Sequence, residues 1–281
     1  MNTKTSAKTL IVLLTYQSRI DWLKEAMHSV RVQYRPDWEC IVADSSPDQA
    51  KAKEIEALTL QDGRFEYLHY PHHASADVAH KVNAATGEGA ERFGYVVVMS
   101  DDDYLSPFFL ERQVSLLEAH PKCGFAQGWI STFGSVGGLW NPQPGKCLGD
   151  QMGQNQFAGT CVMRMRQFRE FGGYDLDSVP EGHPTGLEDY TLFAWFLKKG
   201  WNYGVVPEVL LFARQHGEQN NKRIYGTQKF VELHTVIRKK VGVTMVDANG
   251  HEIPELRFGT RVAFKWEQEH LLDLTQAAAG A

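Results

Sequence analysis

The sequence has few cysteines and no long apolar run. Its four cysteines, Cys40, Cys123, Cys147 and Cys161, lie far apart and form no C-x-x-C pair, so they indicate neither a zinc site nor a disulfide framework. No stretch approaches the roughly 20 apolar residues that cross a bilayer. The apolar run 10–14 is too short for the core of a signal peptide. We therefore expect a soluble protein of the cytoplasm.

Basic residues and the common phosphate-binding motifs are also lacking. The chain has 281 residues, with 29 Lys and Arg against 34 Asp and Glu, and its formal net charge is −5. This balance argues against bulk nucleic-acid binding. No G-x-G-x-x-G follows the first predicted strand and no G-x-x-x-x-G-K-[ST] occurs, which excludes a dinucleotide fingerprint and a P-loop. A phosphate ligand would need another anchor, most obviously a carboxylate–metal bridge.

The sequence does contain an apolar run, 96–99, followed closely by three consecutive carboxylates, Asp101, Asp102 and Asp103. Adjacent acids repel one another unless a cation or a donor-rich ligand neutralises them. Open α/β sheets bind ligands at the carboxyl ends of their strands. The pattern favours Mg²⁺ or Mn²⁺ holding a diphosphate. The alternative is a solvated acidic turn whose last Asp caps the next helix.

Strand-like and helix-like segments alternate along the first 120 residues, which is typical of a parallel, doubly wound sheet. The apolar patterns predict strands over 9–15, 38–43, 64–70, 93–100 and 205–212. They predict helices over 21–32, 49–60, 78–85, 107–120 and 188–199. The Gly-, Trp- and Pro-rich segment 124–153 is predicted to form strands and loops. After about residue 219 the chain changes character, and helices are predicted over 227–241 and 261–276.

Polar side chains stand where several predicted elements end or begin. Thr15 and Tyr16 close the first strand and Asp44 closes the second. A hydroxyl, a ring and a carboxylate suit a nucleobase, although turns commonly contain such residues. Glu188 and Asp189 open a helix. One of these acids could take a proton from an acceptor hydroxyl, whereas the alternative is simple complementarity to the helix dipole.

Arg214 and His216 follow the last apolar strand and are two residues apart. On an extended segment this spacing places both side chains on the same side. Arg suits a diphosphate through fork-like hydrogen bonds, and His suits a metal or a phosphate. The alternative for a His in a loop is a solvated side chain.

Taken in this order, the motifs resemble those of family 2 glycosyltransferases with the GT-A fold. The resemblance covers about residues 9–219, and two positions depart from it: Ala43 replaces the first acid of an Asp pair, and Ser100 occupies the first acid position of the metal motif. The segments that carry the resemblance are Leu14-Thr15-Tyr16-Gln17, Val42-Ala43-Asp44-Ser45-Ser46-Pro47-Asp48, Ser100-Asp101-Asp102-Asp103 with Pro107, Gly172-Gly173-Tyr174-Asp175, Glu188-Asp189 and Phe212-Ala213-Arg214-Gln215-His216.

The resemblance implies an α/β GT-A (Rossmann-like) fold with a mixed, mainly parallel sheet flanked by helices. Residues 1–219 would form the catalytic domain and 220–281 a C-terminal helical extension. The implied reaction moves a sugar, with inversion, from a nucleoside-diphosphate sugar, most commonly a UDP-sugar, to a hydroxyl of a glycan, lipid-linked or other acceptor, as in polysaccharide or glycoconjugate biosynthesis. The alternative is a catalytically silent nucleotide-sugar- or partner-binding domain of the same fold.

The resemblance also implies a role for each candidate residue. Asp189 would be the general base, with Glu188 in support. The metal, Mn²⁺ or Mg²⁺, would be held by Asp102, Asp103 and His216, although the sequence leaves open which two of the three consecutive acids bind it. Contacts to the nucleotide sugar would come from Thr15, Tyr16, Asp44, Asp101, Asp102, Gly159, Thr160 and Arg214.

Two regions leave their role open. Trp129, Trp140 and the loop 134–144 suit an acceptor cleft, since aromatic faces stack on sugars, and they equally suit core packing. The helix predicted over 227–241 has an apolar face and ends in Arg238-Lys239-Lys240. We expect it to pack on the catalytic domain or on a second subunit; the alternative is a peripheral position on the anionic inner face of a membrane.

Overall fold

The computed structural model describes residues 7–217, 228–246 and 263–264. Its strands are β1 (Thr9–Thr15), β2 (Trp38–Asp44), β3 (Phe65–His69), β4 (Tyr95–Ser100), β5 (Tyr104–Leu105), β6 (Cys123–Gly134), β7 (Gly138–Trp140), β8 (Val162–Arg164), β9 (Asn202–Gln215), β10 (Met245–Val246) and β11 (Ala263–Phe264). Its α-helices are α1 (Ile20–Arg31), α2 (Gln49–Thr59), α3 (Asp77–Ala85), α4 (Phe109–Ala119), α5 (Leu148–Gly153), α6 (Met165–Glu170), α7 (Glu188–Lys198) and α8 (Gln228–Val241).

Nine strands form one sheet in the order β3-β2-β1-β4-β8-β6-β9-β5, with β7 paired to β6. The pairs β3–β2, β2–β1, β1–β4 and β6–β9 are parallel. The pairs β4–β8, β8–β6, β9–β5 and β6–β7 are antiparallel. The mixed, mainly parallel sheet flanked by helices is the predicted fold, and this prediction is confirmed.

Strand β1 shows why the sheet lies in the middle of the molecule. All seven of its residues are buried, so both of its faces must be covered. Ile11 and Leu13 belong to a core cluster with Leu23 and Met27 of α1. Leu10, Val12 and Leu14 point to the other face, where the second cluster contains residues of α3, α6 and α7: Ala79, Val82, Phe168, Phe193 and Phe196. The alternation of side chains along a strand therefore builds two cores.

A third core cluster lies between α5, α7 and α8. Leu233 and Ile237 of α8 are buried together with Tyr190 of α7 and Met152 of α5. The predicted helix over 227–241 is thus present as α8, and it packs on the helix that begins with Glu188. Within the part of the chain that the structure describes, no helix is both long enough and apolar enough to span a membrane.

Two predictions of local structure were wrong. Helix α5 forms inside the segment 124–153, for which strands and loops were predicted, because the Cys147 backbone N–H donates to the Asp150 carboxylate at 2.8 Å and closes its first turn. Ala263–Phe264 pair with β10, although a helix was predicted there. The rest of the segment 261–276 lies outside the described residues.

Candidate active site

The carboxyl ends of the central strands meet at one edge of the sheet. Thr15 at the end of β1 is paired with Asp44 at the end of β2, and Leu14 is paired with Ser100 of β4. Residues 101–103 continue from β4 at this edge. Predicted nucleotide-sugar residues from three different strands are therefore brought together by the parallel register.

Strands β8 and β9 bring further candidates to the same edge. Because β8 is antiparallel to β4, Gly159 and Thr160, which precede β8, lie beside the carboxyl end of β4. Strand β9 is parallel to β6, and β6 is antiparallel to β8, so β9 also ends at this edge. Arg214 near the end of β9 thus reaches the acids that follow β4.

The end of β9 is hydrogen-bonded to the acidic run, Asp101–Asp103, that follows β4. The Arg214 backbone N–H donates to Asp103 Oδ1 at 2.8 Å, and the Arg214 side-chain Nε donates to the Asp102 carbonyl at 3.1 Å. His216 Nε2 lies 2.9 Å from Asp102 Oδ2. The sequence predicted that these basic and acidic residues share one site, and the structure brings them into contact across more than a hundred residues of chain.

Helix α1 adds an aromatic and acidic layer behind Arg214. The guanidinium carbon of Arg214 lies 4.7 Å from the centre of the Trp22 ring and 4.6 Å from that of Phe133, and its terminal nitrogen bonds to Glu25. The ring of Trp22 also lies 5.0 Å from that of His216. Stacking on aromatic faces and pairing with a carboxylate fix the guanidinium plane. Trp22 and Glu25 were not predicted as site residues.

Two carboxyl groups of the acidic run, those of Asp101 and Asp103, have raised pKa values. Burial raises the pKa of Asp101 to about 6; the charge of Asp102 adds to this, and the Thr15 and Ser18 hydroxyls oppose it. Burial also raises the pKa of Asp103 well above its usual value, and the charge of Asp102 adds to it. Such a cluster favours a bound cation, because a nearby positive charge stabilises every ionised carboxylate.

The donor chemistry of this cluster fits a hard divalent metal. Asp101 Oδ2 is buried and has no hydrogen-bond partner among the described residues. Asp102 Oδ2 faces the His216 imidazole, and carboxylate oxygen with imidazole nitrogen is a donor set that suits Mn²⁺. Among the described residues, no three or more His, Cys, Asp or Glu side chains are grouped so that they could hold a metal ion. The case for Asp102, Asp103 and His216 as metal ligands therefore rests on the chemistry of their donor atoms.

Asp44, the candidate for nucleobase contact, is fully buried. Its Oδ1 accepts from the Ser46 hydroxyl at 2.6 Å, and its Oδ2 accepts from the Tyr67 hydroxyl at 2.9 Å. His69 Nδ1 lies 3.4 Å from the same Oδ2. Asp44 thus organises the end of β2, and any contact with a base would use the remaining lone pairs of its carboxylate.

Tyr16 stands exposed beside this buried corner, with 46% of its surface accessible. Its ring centre lies 4.7 Å from that of His72, at an angle of 30°. An exposed ring supported by a second ring is a suitable stacking surface for a planar base. His72 was not singled out from the sequence.

A buried ion pair lies under the ends of β1 and β2. Lys81 Nζ is 3.1 Å from Asp77 Oδ2 and donates to the Thr15 carbonyl and the Ser45 hydroxyl, each at 2.9 Å. Burial raises the pKa of Asp77, but the Lys81 charge and hydrogen bonds from the His73 N–H and the Ser45 hydroxyl lower it below its usual value. The spacing of Asp77 and Lys81, four residues apart on α3, was the available signal.

Glu188 and Asp189 differ in their surroundings although they are adjacent. Glu188 is buried; its carboxylate accepts from the Thr185 hydroxyl and, at 2.6 Å, from the Gly186 backbone N–H. Asp189 is partly buried. Burial raises the pKa of Asp189 to about 7, and the charge of Glu188 adds to the effect. A carboxyl group with this pKa can both accept and hold a proton near neutral pH.

Gly159 lies close to Asp189 and also borders the carboxyl end of β4. A β-carbon built at Gly159 would lie 3.1 Å from Asp189 Oδ2, so the segment before β8 runs directly along this carboxylate. A larger residue at position 159 would crowd the oxygen. The candidate base therefore lies beside a segment that also borders the carboxyl end of β4.

The two tryptophans proposed for an acceptor cleft occupy different settings. Trp129 in β6 is partly buried and is paired with Val209 of β9. Trp140 in β7 is 39% exposed, and its neighbour Leu139 is 58% exposed. Trp140 and Leu139 thus offer an open apolar surface, whereas Trp129 contributes to the sheet.

A scan against protein-family models matched the model described as Glycosyl transferase family 2 over residues 10–181, which is more than half of the chain. The chain belongs to this family. The matched range contains the acidic run and Asp44. The family 2 match ends before Asp189 and Arg214, which join the site through the contacts described above. A search of curated proteins found no match.

Solved structures with the same fold include those of TarS from S. aureus. TarS 1–349 in complex with UDP-GlcNAc superimposes with a TM-score of 0.64 at 16% sequence identity, and the match covers 83% of this chain and 66% of that one. A second structure of TarS 1–349 gives a TM-score of 0.61 with 65% of that chain covered. A structure of TarS gives 0.60 with 39% covered. The family 2 chain therefore spans less than two thirds of these structures, and the likeness shows its fold.

Proposed function

We propose that this family 2 glycosyltransferase moves a sugar from a nucleoside-diphosphate sugar, with UDP as the favoured nucleotide, to an acceptor hydroxyl, with inversion at the anomeric carbon. The proposal rests on one observation: Arg214 and His216 form hydrogen bonds with the acids that follow β4. An Arg and a His at an acidic strand end suit a metal-bound diphosphate. The UDP-GlcNAc and UDP complexes of the structurally similar TarS support the choice of UDP.

The donor would lie along the carboxyl edge of the sheet. Thr15, Tyr16 and Asp44 would hold the base, with the exposed Tyr16 ring as the stacking surface. Asp101 and Asp102 would contact the ribose and diphosphate end, and Arg214 would bind the diphosphate. The donor sugar would lie on Gly159 and Thr160, a placement supported by the nearness of Gly159 to Asp189.

Asp102, Asp103 and His216 would hold Mn²⁺ or Mg²⁺. When bound, such an ion stabilises the negative charge that develops on the leaving diphosphate. The chain's own residues contribute in the same direction, because Arg214 is held rigidly by Trp22 and Glu25 and is aimed at the acidic edge. A preoriented guanidinium stabilises developing charge without reorganisation during the reaction.

Asp189 would take the proton of the acceptor hydroxyl as that oxygen attacks the anomeric carbon from the side opposite the diphosphate. Its raised pKa, about 7, makes it a stronger base than an ordinary carboxylate while leaving much of it ionised at neutral pH. Glu188 would support it, because bonds from Thr185 and Gly186 hold Glu188 beside the base.

The acceptor would be a glycan, a lipid-linked molecule or another hydroxyl compound in polysaccharide or glycoconjugate biosynthesis. We further propose that residues 1–219 form the catalytic domain and that 220–281 form an extension packed on it through α8. A cytoplasmic location completes the proposal. The alternatives for the extension are contact with a second subunit in a homo-oligomer and a peripheral position on the inner face of a membrane. The burial of Leu233 and Ile237 against α7 supports the packing of the extension.

Isothermal titration with UDP, GDP and a control nucleotide, each with and without Mn²⁺, tests the proposal. We expect UDP to bind tightly only with Mn²⁺, and we expect His216→Ala to weaken this binding. His120→Ala, at the end of α4, is the matched control. Absence of nucleotide binding in the folded protein would instead support a catalytically silent domain with a protein partner.

A further inference from the structure

Each oxygen of the Asp189 carboxylate accepts a hydrogen bond from another residue. The Tyr190 backbone N–H donates to Oδ1 at 2.6 Å. The Asn155 side-chain amide donates to Oδ2 at 3.4 Å. The first donor belongs to the same helix and would be present in any sequence, whereas the second comes from a loop 34 residues away.

The orientation of the Asn155 amide is fixed by its other contacts. Asn155 Oδ1 accepts from Gln151 Nε2 at 3.1 Å and from the Phe157 backbone N–H at 3.3 Å. An amide oxygen that faces two donors leaves its NH₂ group to point the other way, toward Asp189. The hydrogen-bond network therefore specifies which end of the Asn155 amide meets the carboxylate.

Gln151 ties this arrangement to the helix that carries Asp189. It lies on α5 and is fully buried. Its Nε2 also donates to the Tyr190 carbonyl at 3.1 Å, and its Oε1 accepts from the Gln156 backbone N–H at 2.8 Å. One side chain thus holds both the Asn155 loop and the first turn of α7. A buried amide with such partners is costly to rearrange, so the network is rigid.

We infer that Asn155, oriented by Gln151, is a positioning residue that holds the Asp189 carboxylate in place for proton transfer. This inference rests on the proposed function, in which Asp189 is the general base. Asn155 presents a donor to one carboxylate oxygen and thereby stabilises the ionised form of the base. Gln151 and Asn155 are four residues apart, and this spacing is the only sign of their contact in the sequence.

The groups that surround Asp189 make this donor important. Glu188 on the same helix, Cys161 before β8 and Tyr174 after α6 all interact electrostatically with it, and each would be neutral or negative. Burial and Glu188 raise the pKa of Asp189, while the Tyr190 N–H and the Asn155 amide oppose that rise. Loss of the Asn155 donor should therefore raise the Asp189 pKa further.

The test follows the Asp189 carboxyl carbon by NMR in protein labelled with carbon-13 at aspartate carboxyls. The Asp189 resonance is identified by its loss in Asp189→Asn. In Asn155→Leu, we expect its titration midpoint to rise by about one pH unit, as befits the loss of one hydrogen bond to a charged group. Asn155→Asp keeps an oxygen for Gln151 and Phe157 but replaces the donor by a second carboxylate, so we expect a larger rise.

Gln156→Ala is the matched control. Within the described part of the chain the Gln156 side chain donates to the Asp150 and Gln154 carbonyls, and the substitution retains its backbone N–H, which donates to Gln151. Its Asp189 midpoint should equal that of the wild type. An unchanged midpoint in a folded Asn155 variant would overturn the inference. If Asn155→Leu does not fold, Asn155→Asp decides.

Turnover separates this inference from the proposed function. UDP release from a panel of UDP-sugars, with water as acceptor, is measured for Asp189→Asn. Loss of turnover in Asp189→Asn together with unchanged midpoints in the Asn155 variants overturns the positioning role alone. Wild-type turnover in Asp189→Asn overturns Asp189 as the base, and with it the catalytic meaning of the Asn155 contact.

Discussion

At the scale of single residues, two adjacent acids acquire different roles from their surroundings. The Glu188 carboxylate accepts hydrogen bonds from the Thr185 hydroxyl and the Gly186 backbone N–H, which suits a structural role. Asp189 has a short bond to Tyr190 and a long one to Asn155, and an unsubstituted Gly159 leaves room beside its Oδ2. These surroundings, rather than position in the motif, favour Asp189 over Glu188 as the proposed base.

Asp189→Asn should keep donor binding and lose most of the turnover. The amide is nearly isosteric but cannot accept the acceptor proton, and general base catalysis typically contributes about 10²- to 10⁴-fold. UDP affinity by titration calorimetry and UDP release from the donor measure the two effects separately. Asp177→Asn, a change in an exposed carboxyl that is paired with Lys240, should leave both values unchanged. Full turnover in Asp189→Asn would contradict the assignment.

Gln17 adopts a backbone conformation that the sequence analysis did not predict. Its φ is +47°, in the left-handed region, and its N–H donates to Ser46 Oγ at 2.6 Å. Asn tolerates the left-handed region better than Gln because its short polar side chain can bond locally. The loop after β1 thus holds a backbone conformation that Gln adopts at a cost.

Gln17→Asn should raise the free energy of unfolding by about 0.5 kcal/mol, because the left-handed conformation becomes less costly. Gln17→Val should lower the free energy of unfolding by about 1 kcal/mol or more, because β-branched residues are rarely found in the left-handed region. Urea unfolding of the three proteins under one set of conditions measures the order. The backbone bond to Ser46 is retained in each. Equal midpoints for both variants would show that this conformation carries no strain.

At the scale of elements, the repeating apolar patterns predicted most of the secondary structure. Strand β1 and helix α7 begin at the predicted residues, and both α1 and α8 lie within one residue of their predicted bounds. The short elements α5 and α6 were not predicted, because two apolar side chains in six residues leave no clear period. Strand β5, with two residues, exists only through its pairing with β9.

The candidate site was predictable to the extent that its residues end strands. Parallel strands place their carboxyl ends together, so Thr15, Asp44 and Asp101 could be grouped from the sequence. Trp22 and Asn155 could not, because they reach the site through tertiary contacts across long stretches of chain. No local pattern distinguishes such residues from others on helices and loops.

Helix α8 should stabilise α7, the helix that carries the proposed base. Ile237 is 1% exposed in the cluster with Tyr190, so Ile237→Ala should lower the free energy of unfolding by about 2 to 4 kcal/mol. Val236 on the same helix is 50% exposed, and Val236→Ala should change it by less than about 0.5 kcal/mol. Chemical unfolding of both variants measures the difference. Equal losses would mean that α8 does not pack on α7 in solution.

At the scale of the whole molecule, distant parts of the chain meet to complete one site. Strands β1, β2 and β4 supply the acidic edge, β9 supplies Arg214 and His216, and the α5 loop supplies Asn155. The order β4-β8-β6-β9 places two antiparallel contacts between the acidic strand and the basic one. The fold thereby assembles a basic group against carboxylates that would otherwise repel one another.

The raised pKa of Asp189 should make the free energy of unfolding of the whole protein depend on pH. Burial raises the pKa of Asp189 to about 7 in the folded protein, from its ordinary value of 3.8. The folded state therefore holds the proton more tightly, and stability falls as pH rises from about 4 to about 7 and levels off above that. Asp189→Asn removes this contribution, so it should gain at least about 1 kcal/mol over the wild type at pH 8 while matching it near pH 4. Urea unfolding at the two pH values measures this. A difference between the two proteins that does not vary with pH would contradict the raised pKa, and Asp177→Asn should show no such gain.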